Sequence, residues 1–175
     1  LFDLSQFTPK CSVLDNNGNG YFGTGTYPGQ VVRFNLSTLE RTGELTLPAG
    51  EDDLSCAVVD STREFAYFGC FTSPGKIVKV RLSDLSRVSV LTLQPGEDNL
   101  SSAVLDPSGQ FAYFGTSSSE GIVVKVRLSD FTRVGSIQFQ EGEGPLRCAI
   151  AAGTNAWFGT YGFPGKVVRV NLSTF

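Results

Sequence analysis

Apolar residues in this chain come in short runs and in strict alternation, never at helical spacing. Residues 100–106 read LSSAVLD, the turn PSGQ follows, and FAYFGT fills 111–116. After a Ser/Gly break, IVVKVRL (122–128) alternates valine with lysine and arginine, and RVGSIQF closes at 133–139. Period-two alternation and short apolar runs bounded by Gly, Pro, Ser and Asp predict β-strands. Four of them fill one unit of 46 residues.

The unit recurs. EFAYFGCFTSPGKIVKVRLSD occupies 64–84 and QFAYFGTSSSEGIVVKVRLSD occupies 110–130; looser copies lie at 20–38 and 156–174. The Leu-Ser pair closing each copy falls at Leu36, Leu82, Leu128 and Leu172, so the spacings are 46, 46 and 44. Residues 54–99 and 100–145 share 24 of 46 positions without a gap, which chance does not produce. Four strands in a period of this size predict a propeller blade, whereas β-solenoids use shorter coils. The expected fold is all-β and β-propeller-like, with about four blades of four antiparallel strands in a single domain, 1–175. The blades are expected at 10–53, 54–99, 100–145 and 146–175, with 1–9 as a closing or exchanged strand. LFDLSQFT (1–8) has two readings. It supplies the outer strand that the last unit lacks, or it repeats the strand end VRLSDFTR, so that a strand passes between copies.

The stretch GEDNLSSAVLDPSGQFAYFGTSSSEGIVVKVRLSD resembles the YVTN-type propeller repeats of surface proteins, and more distantly NHL and WD40 blades. Gly96, Ala103, Val104, Asp106, Gly109, Tyr113, Phe114, Val124 and Val126 carry the resemblance, blade by blade over nearly the whole chain. It departs where Phe-Gly-Thr replaces Val-Thr-Asn and Arg-Leu-Ser-Asp replaces the Ile-Asp strand end. The resemblance implies blade architecture and is nearly silent on activity.

Composition narrows the function classes. A net charge of −3 gives no basic footprint for nucleic acid. No apolar run approaches the roughly 20 residues of a membrane helix. The 175 residues contain no histidine, so Ser-His-Asp triads, Cys-His dyads and His-ligated metals are out of reach. They contain no methionine either, which is expected of a processed chain or an excised segment and fits secretion. Asn35, Asn99 and Asn171 each begin an Asn-Leu-Ser glycosylation sequon. Cys11, Cys56 and Cys148 share one position of the repeat, where the third unit has Ser102, and Cys70 ends a second strand. Cys56 and Cys70 are equidistant from residue 63 across a hairpin and are expected as a disulfide. Cys11 and Cys148 are then expected as the second pair, within one copy or between two. The plainer reading is four buried thiols.

Other residues offer weaker chemistry. Asp15, Asn17 and Asn19 alternate like the start of a calcium loop, against the reading of a plain turn; no other metal site is expected. The acidic connections PAGEDD, QPGEDN and QEGEGP read as a cation patch or, more simply, as solvated turns. Lys79, Arg81, Lys125, Arg127, Lys166 and Arg169 form a stripe that reads as a solvated face or a subunit contact. Trp157, where other units have tyrosine, is a core residue or a sugar-stacking platform. No cofactor is expected. The leading functional expectation is a non-catalytic extracellular structural or adhesive glycoprotein module. It would assemble end to end, with itself or with other extracellular proteins and glycans as partners. A ligand-binding propeller, lectin-like or peptide-binding, is the first alternative, and a carbohydrate-active enzyme the second.

Overall fold

The computed structural model describes residues 7–175, which form fifteen strands and no helix. Blade I holds β1 (Pro9–Leu14), β2 (Asn19–Thr24), β3 (Gln30–Asn35) and β4 (Glu40–Thr46). Blade II holds β5 (Leu54–Val59), β6 (Phe65–Cys70), β7 (Lys76–Arg81) and β8 (Ser86–Thr92). Blade III holds β9 (Leu100–Leu105), β10 (Phe111–Thr116), β11 (Ile122–Arg127) and β12 (Thr132–Gln138). Blade IV holds β13 (Leu146–Ala152), β14 (Asn155–Thr160) and β15 (Val167–Asn171). Each blade is an antiparallel sheet with its strands in chain order. The first strands, β1, β5, β9 and β13, pack one against the next along the inner side.

Local sequence explains the hairpins. Asp60 Oδ1 accepts the backbone N–H groups of Glu64 and Phe65, and Asp106 Oδ1 accepts that of Phe111. These aspartates close the turn between the first two strands, as Asx side chains do. The next connection puts Leu39, Leu85 and Phe131 at φ of 62°, 53° and 52°. A bulky residue there is strained by roughly 1 kcal/mol or more. In blades II and III the strain is offset by burial, because Leu85 and Phe131 insert against the preceding blade.

Alternation assigns each side chain to one of two neighbours. On β7, Ile77 faces blade III while Val78 and Val80 face blade I. Three cores result, between blades I and II, II and III, and III and IV. The sequence leaves open whether the blades close into a ring. Four antiparallel sheets are present, and among the described residues they form an open arc, because β13 and β1 do not build a fourth such core there. The expectation for the strand at the chain start falls largely on residues 1–6, outside the described residues. Of its remainder, Thr8 accepts the Gly25 N–H and Phe7 lies under the Arg41 guanidinium, so both sit in blade I.

The Cys56–Cys70 pair and a Cys11–Cys148 pair within one copy are corrected. Cys11, Cys56, Cys70 and Cys148 are free thiols. A bulge between Leu54 and Cys56 shifts the hairpin register, so Cys56 faces Gly69 and Cys70 faces Leu54. One residue of slip puts side chains on opposite faces of a sheet. Cys56 accordingly joins the core toward blade III and Cys70 the core toward blade I. Cys11 points at blade II, where its Sγ lies 3.2 Å from the Leu54 carbonyl oxygen, and two inner strands stand between it and Cys148. Burial raises the Cys11 and Cys70 thiols to about 12 and lifts Cys56 well above its usual value.

Candidate interaction face

Three equivalent interfaces define how one blade meets the next. Tyr21, Tyr67 and Tyr113 hold the same position in β2, β6 and β10, and each is buried by the following blade. The Tyr21 hydroxyl shares its one proton between the Leu82 carbonyl at 2.9 Å and Asp15 Oδ2 at 3.0 Å. Phe131 packs on Tyr67 with ring centroids 5.5 Å apart, and Phe175 on Tyr113 at 5.3 Å. Glycine makes the next contact. A Cβ at Gly23 would lie 2.9 Å from Leu54 Cβ, one at Gly69 3.1 Å from Leu100 Cβ, and one at Gly115 3.1 Å from Leu146 Cβ. The first-strand leucine of each blade thus presses into a glycine socket of the blade before it. Glycine inside a strand commonly marks such a close approach.

Charge follows the same rule. Arg87 of blade II grips Glu51 through Nε–Oε2 (2.8 Å) and Nη2–Oε1 (2.5 Å). Arg133 of blade III grips Glu97 in the same way, with Nη2–Oε1 at 2.5 Å. Both carboxylates are buried at the interface. Burial works against ionisation of Glu97, but bonds from Arg133, Ser136 and the Gln94 N–H outweigh it and hold its pKa below the usual value. The acidic connections are therefore inter-blade clamps at Glu51 and Glu97, not the solvated turns of the plainer reading. The inner strands add hydroxyl bridges, from Ser55 to the Leu100 carbonyl and from Ser101 to the Leu146 carbonyl.

Blade IV carries the same receiving face with nothing on it among the described residues. Val31, Ile77 and Val123 are 0% exposed, while Val167, in the equivalent place, is 71% exposed. Ile150 is 66% exposed where Val58 is buried at 7%. Cys148 is exposed where Cys56 is buried, and Trp157 is half-buried where the three tyrosines are buried. These side chains line an apolar hollow. A Cβ at Gly159 meets only Cys148 Sγ, at 2.6 Å, and no leucine fills that socket. Glu143 repeats the place of Glu51 and Glu97 in the connection into blade IV, at the interface of blades III and IV, where its carboxylate accepts the Gln140 N–H.

The remaining candidates resolve locally. Asp15 Oδ1 accepts the N–H groups of Asn17 (2.7 Å) and Asn19 (2.9 Å), and Oδ2 accepts Asn19 Nδ2 (2.8 Å) and the Tyr21 hydroxyl (3.0 Å). Burial opposes ionisation, but these four donors win and lower its pKa. Asp15, Asn17 and Asn19 are thus one member of the turn series of Asp60 and Asp106, with the carboxylate already bonded by protein donors. No cluster of three acid or cysteine ligands occurs among the described residues. The cation stripe covers aromatic faces: Lys79 Nζ lies 4.2 Å from the Phe65 ring centre and Lys125 Nζ 4.4 Å from that of Phe111. Arg81 and Arg127 pair with Asp84 and Asp130. Asn35 and Asn171 end β3 and β15, and their amide oxygens accept the Ser37 and Ser173 N–H groups. Asn99 lies in the connection before β9, half-buried, at φ 55°.

No protein-family model and no curated protein sequence matches the chain. Solved structures do match. The chain superposes on hydrazine synthase of Kuenenia stuttgartiensis with a TM-score of 0.81 and 14% identity, over 95% of this chain and 46% of that one. It superposes on the RRP9 WD40 repeats at 0.73 and 9% identity, over 88% of this chain and 45% of that one. The computationally designed Ika4 protein matches at 0.70 and 7% identity, over 98% of this chain and 96% of that one. The chain spans about half the length of the first two. These likenesses bear on fold alone, and the chain is a propeller-like repeat protein at the level of its blades.

Proposed function

We infer that the protein is a non-catalytic structural module of the extracellular surface, working by blade-to-blade assembly. One observation carries this reading: blade IV leaves open, in apolar side chains, the face that blades I to III each bury against a neighbour. An exposed apolar surface that repeats a packed core is a protein contact site. The mechanism is stacking of a further blade on that face. The secretory setting rests on the three sequons, two of which lie at strand ends with Asn171 exposed. Trp157 belongs to the inter-blade tyrosine series, so it supports protein contact rather than a sugar platform.

The test uses Trp157, the single tryptophan of the chain. Residues 132–145 followed by 54–99 are appended after Phe175, which completes the outer strand of blade IV and adds a fifth blade. Its emission is expected to shift to the blue and its quenching by acrylamide to fall. Unchanged emission in a folded product would show that the face does not receive a blade.

A further inference from the structure

We propose that the inner wall of the arc binds a small organic carboxylate between Lys10 and Arg147. The site uses none of the side chains of the open face of blade IV, so it stands whether or not that face receives a blade.

One position of the repeat carries the inference. The residue before Cys11, Cys56, Ser102 and Cys148 is Lys10, Ser55, Ser101 and Arg147 in turn. These four sit on β1, β5, β9 and β13, the strands of the inner side. The two middle blades carry short hydroxyls there, and the two outer blades carry long cations. With Phe71 the four line a single hollow of about 350 Å³. Small-molecule sites span roughly 300–1,000 Å³, so the hollow suits a compact ligand. Lys10 and Arg147 stand on the first and last inner strands, yet they reach the same hollow because the serines between them are short.

Each lining group sets a requirement on the occupant. The Ser55 and Ser101 hydroxyls already donate to the Leu100 and Leu146 carbonyls, so toward a ligand they offer lone pairs. Lys10 Nζ lies 2.8 Å from Asp53 Oδ1 and 2.9 Å from Oδ2, and the Asp53 side chain is buried. That contact anchors the ammonium at the rim and leaves part of its three-donor capacity unspent. Arg147 has no carboxylate at ion-pair distance among the described residues. Its guanidinium lies over the Tyr161 ring, 5.3 Å from the ring centre, a contact that spends none of its N–H donors.

Charge and shape then select the class. Two cations less the Asp53 carboxylate leave one positive charge. A carboxylate neutralises it, whereas a phosphate, close to a dianion at neutral pH, overshoots. The planar fork of Arg147 matches the two oxygens of a carboxylate. The serine lone pairs call for a hydroxyl or N–H beside it, and Phe71 gives the carbon skeleton an apolar wall. The occupant is therefore a carboxylate with a neighbouring donor, as in a sugar acid or at a peptide end.

Nuclear magnetic resonance titration of the full chain tests this, read at the backbone amides of Ser55, Ser101 and Arg147. Glucuronate or N-acetylalanine is expected to shift them saturably, and the tighter of the two tells a sugar acid from a peptide end. Glucose, which lacks the carboxylate, should shift none. Lys10 and Arg147 are exposed, so Lys10→Gln and Arg147→Gln should stay folded by circular dichroism, and each should weaken binding about tenfold. Arg147→Lys keeps the charge without the fork and should recover only part of that loss. Asp53→Asn installs the residue that Asn99 already supplies at the same place, with φ of 50° and 55° at the two positions. It raises the surplus charge to two and should tighten inorganic phosphate about tenfold. No saturable shift with either carboxylate, or shifts that survive Lys10→Gln and Arg147→Gln combined, would overturn the proposal. Phosphate bound by the wild type as tightly as the carboxylates would overturn it too, because the ligand class rests on the single surplus charge.

Discussion

Alanine at Gly69 and at Gly159 is the same chemical change at the same place in the repeat, with different surroundings. At Gly69 the new Cβ would lie 2.5 Å from Cys56 Sγ, 3.1 Å from Leu100 Cβ and 3.3 Å from Leu100 Cδ1. Cys56 and Leu100 are both buried, at 5% and 0% exposure, so neither has room to move aside. Overpacking of this kind costs about 1–3 kcal/mol. At Gly159 the Cβ would meet only Cys148 Sγ, and Cys148 is exposed and free to change rotamer. The cost there should stay within about 0.5 kcal/mol, as for other surface changes. Urea unfolding of both variants, at a dilution where the chain is single, gives the comparison. The slope should be unchanged and the midpoint should fall only for Gly69→Ala. Combining it with Cys56→Ala should recover part of the loss, since that removes the closer of the two obstacles. Equal losses at both glycines, or none at Gly69, would refute the socket argument.

Other outcomes follow from single groups. Ser102 Oγ is buried with no hydrogen-bond partner among the described residues, at a place where other blades carry cysteine; Ser102→Cys should stabilise by about 1 kcal/mol in a thermal melt. Glu97→Gln removes the charge that Arg133 grips and should cost about 2 kcal/mol near neutral pH. Its pKa is lower folded than unfolded, so this stability is present above its ordinary value of 4.5 and is lost as pH falls through the folded value. Acid titration should therefore bring the wild type and the variant together. At a dilution where the chain is single, native alkylation near neutral pH should label Cys148 first, with Cys11, Cys56 and Cys70 reacting only after unfolding, as read by mass spectrometry. Material made through a secretory pathway should lose mass on deglycosylation, and Asn171→Gln should reduce that loss; no change would remove the extracellular reading.

Much of the fold was written in the order of residues. Period-two alternation in IVVKVRL located β11, and the recurrence of Tyr-Phe-Gly located β2, β6 and β10, because strand periodicity is local. What failed depended on counts that a single insertion changes. Counting outward from residue 63 missed the bulge before Cys56, and one residue of slip moved a thiol to the other side of the sheet. Counting strands left ring closure and strand exchange undecided, because closure depends on the angle between blades, which no strand pattern encodes. The receiving face was half visible. Val167 and Ile150 read as ordinary strand residues, and only their equivalence to buried Val123 and Val58 gives their exposure meaning. The acidic turns were noticed, but their partners lie 36 residues onward in the next blade, beyond any local window. Comparing repeat with repeat, Arg87 with Arg133 and Glu51 with Glu97, was the signal that would have found them.

Because the filled glycine sockets, the buried tyrosines and the clamping glutamates act on the blade that follows, the unit of inheritance and the unit of packing are out of phase. The 46 residues from 54 to 99 contain one blade, yet the contacts they make are halves of two interfaces. Excising that whole stretch joins Asp53 to Leu100 and brings Leu100 to Gly23, Phe131 to Tyr21 and Arg133 to Glu51, with each contact of the same kind as before. Removing half a period would leave a socket facing a socket. A gene built this way can lengthen or shorten by whole repeats without inventing a new contact, and any other step is penalised at once.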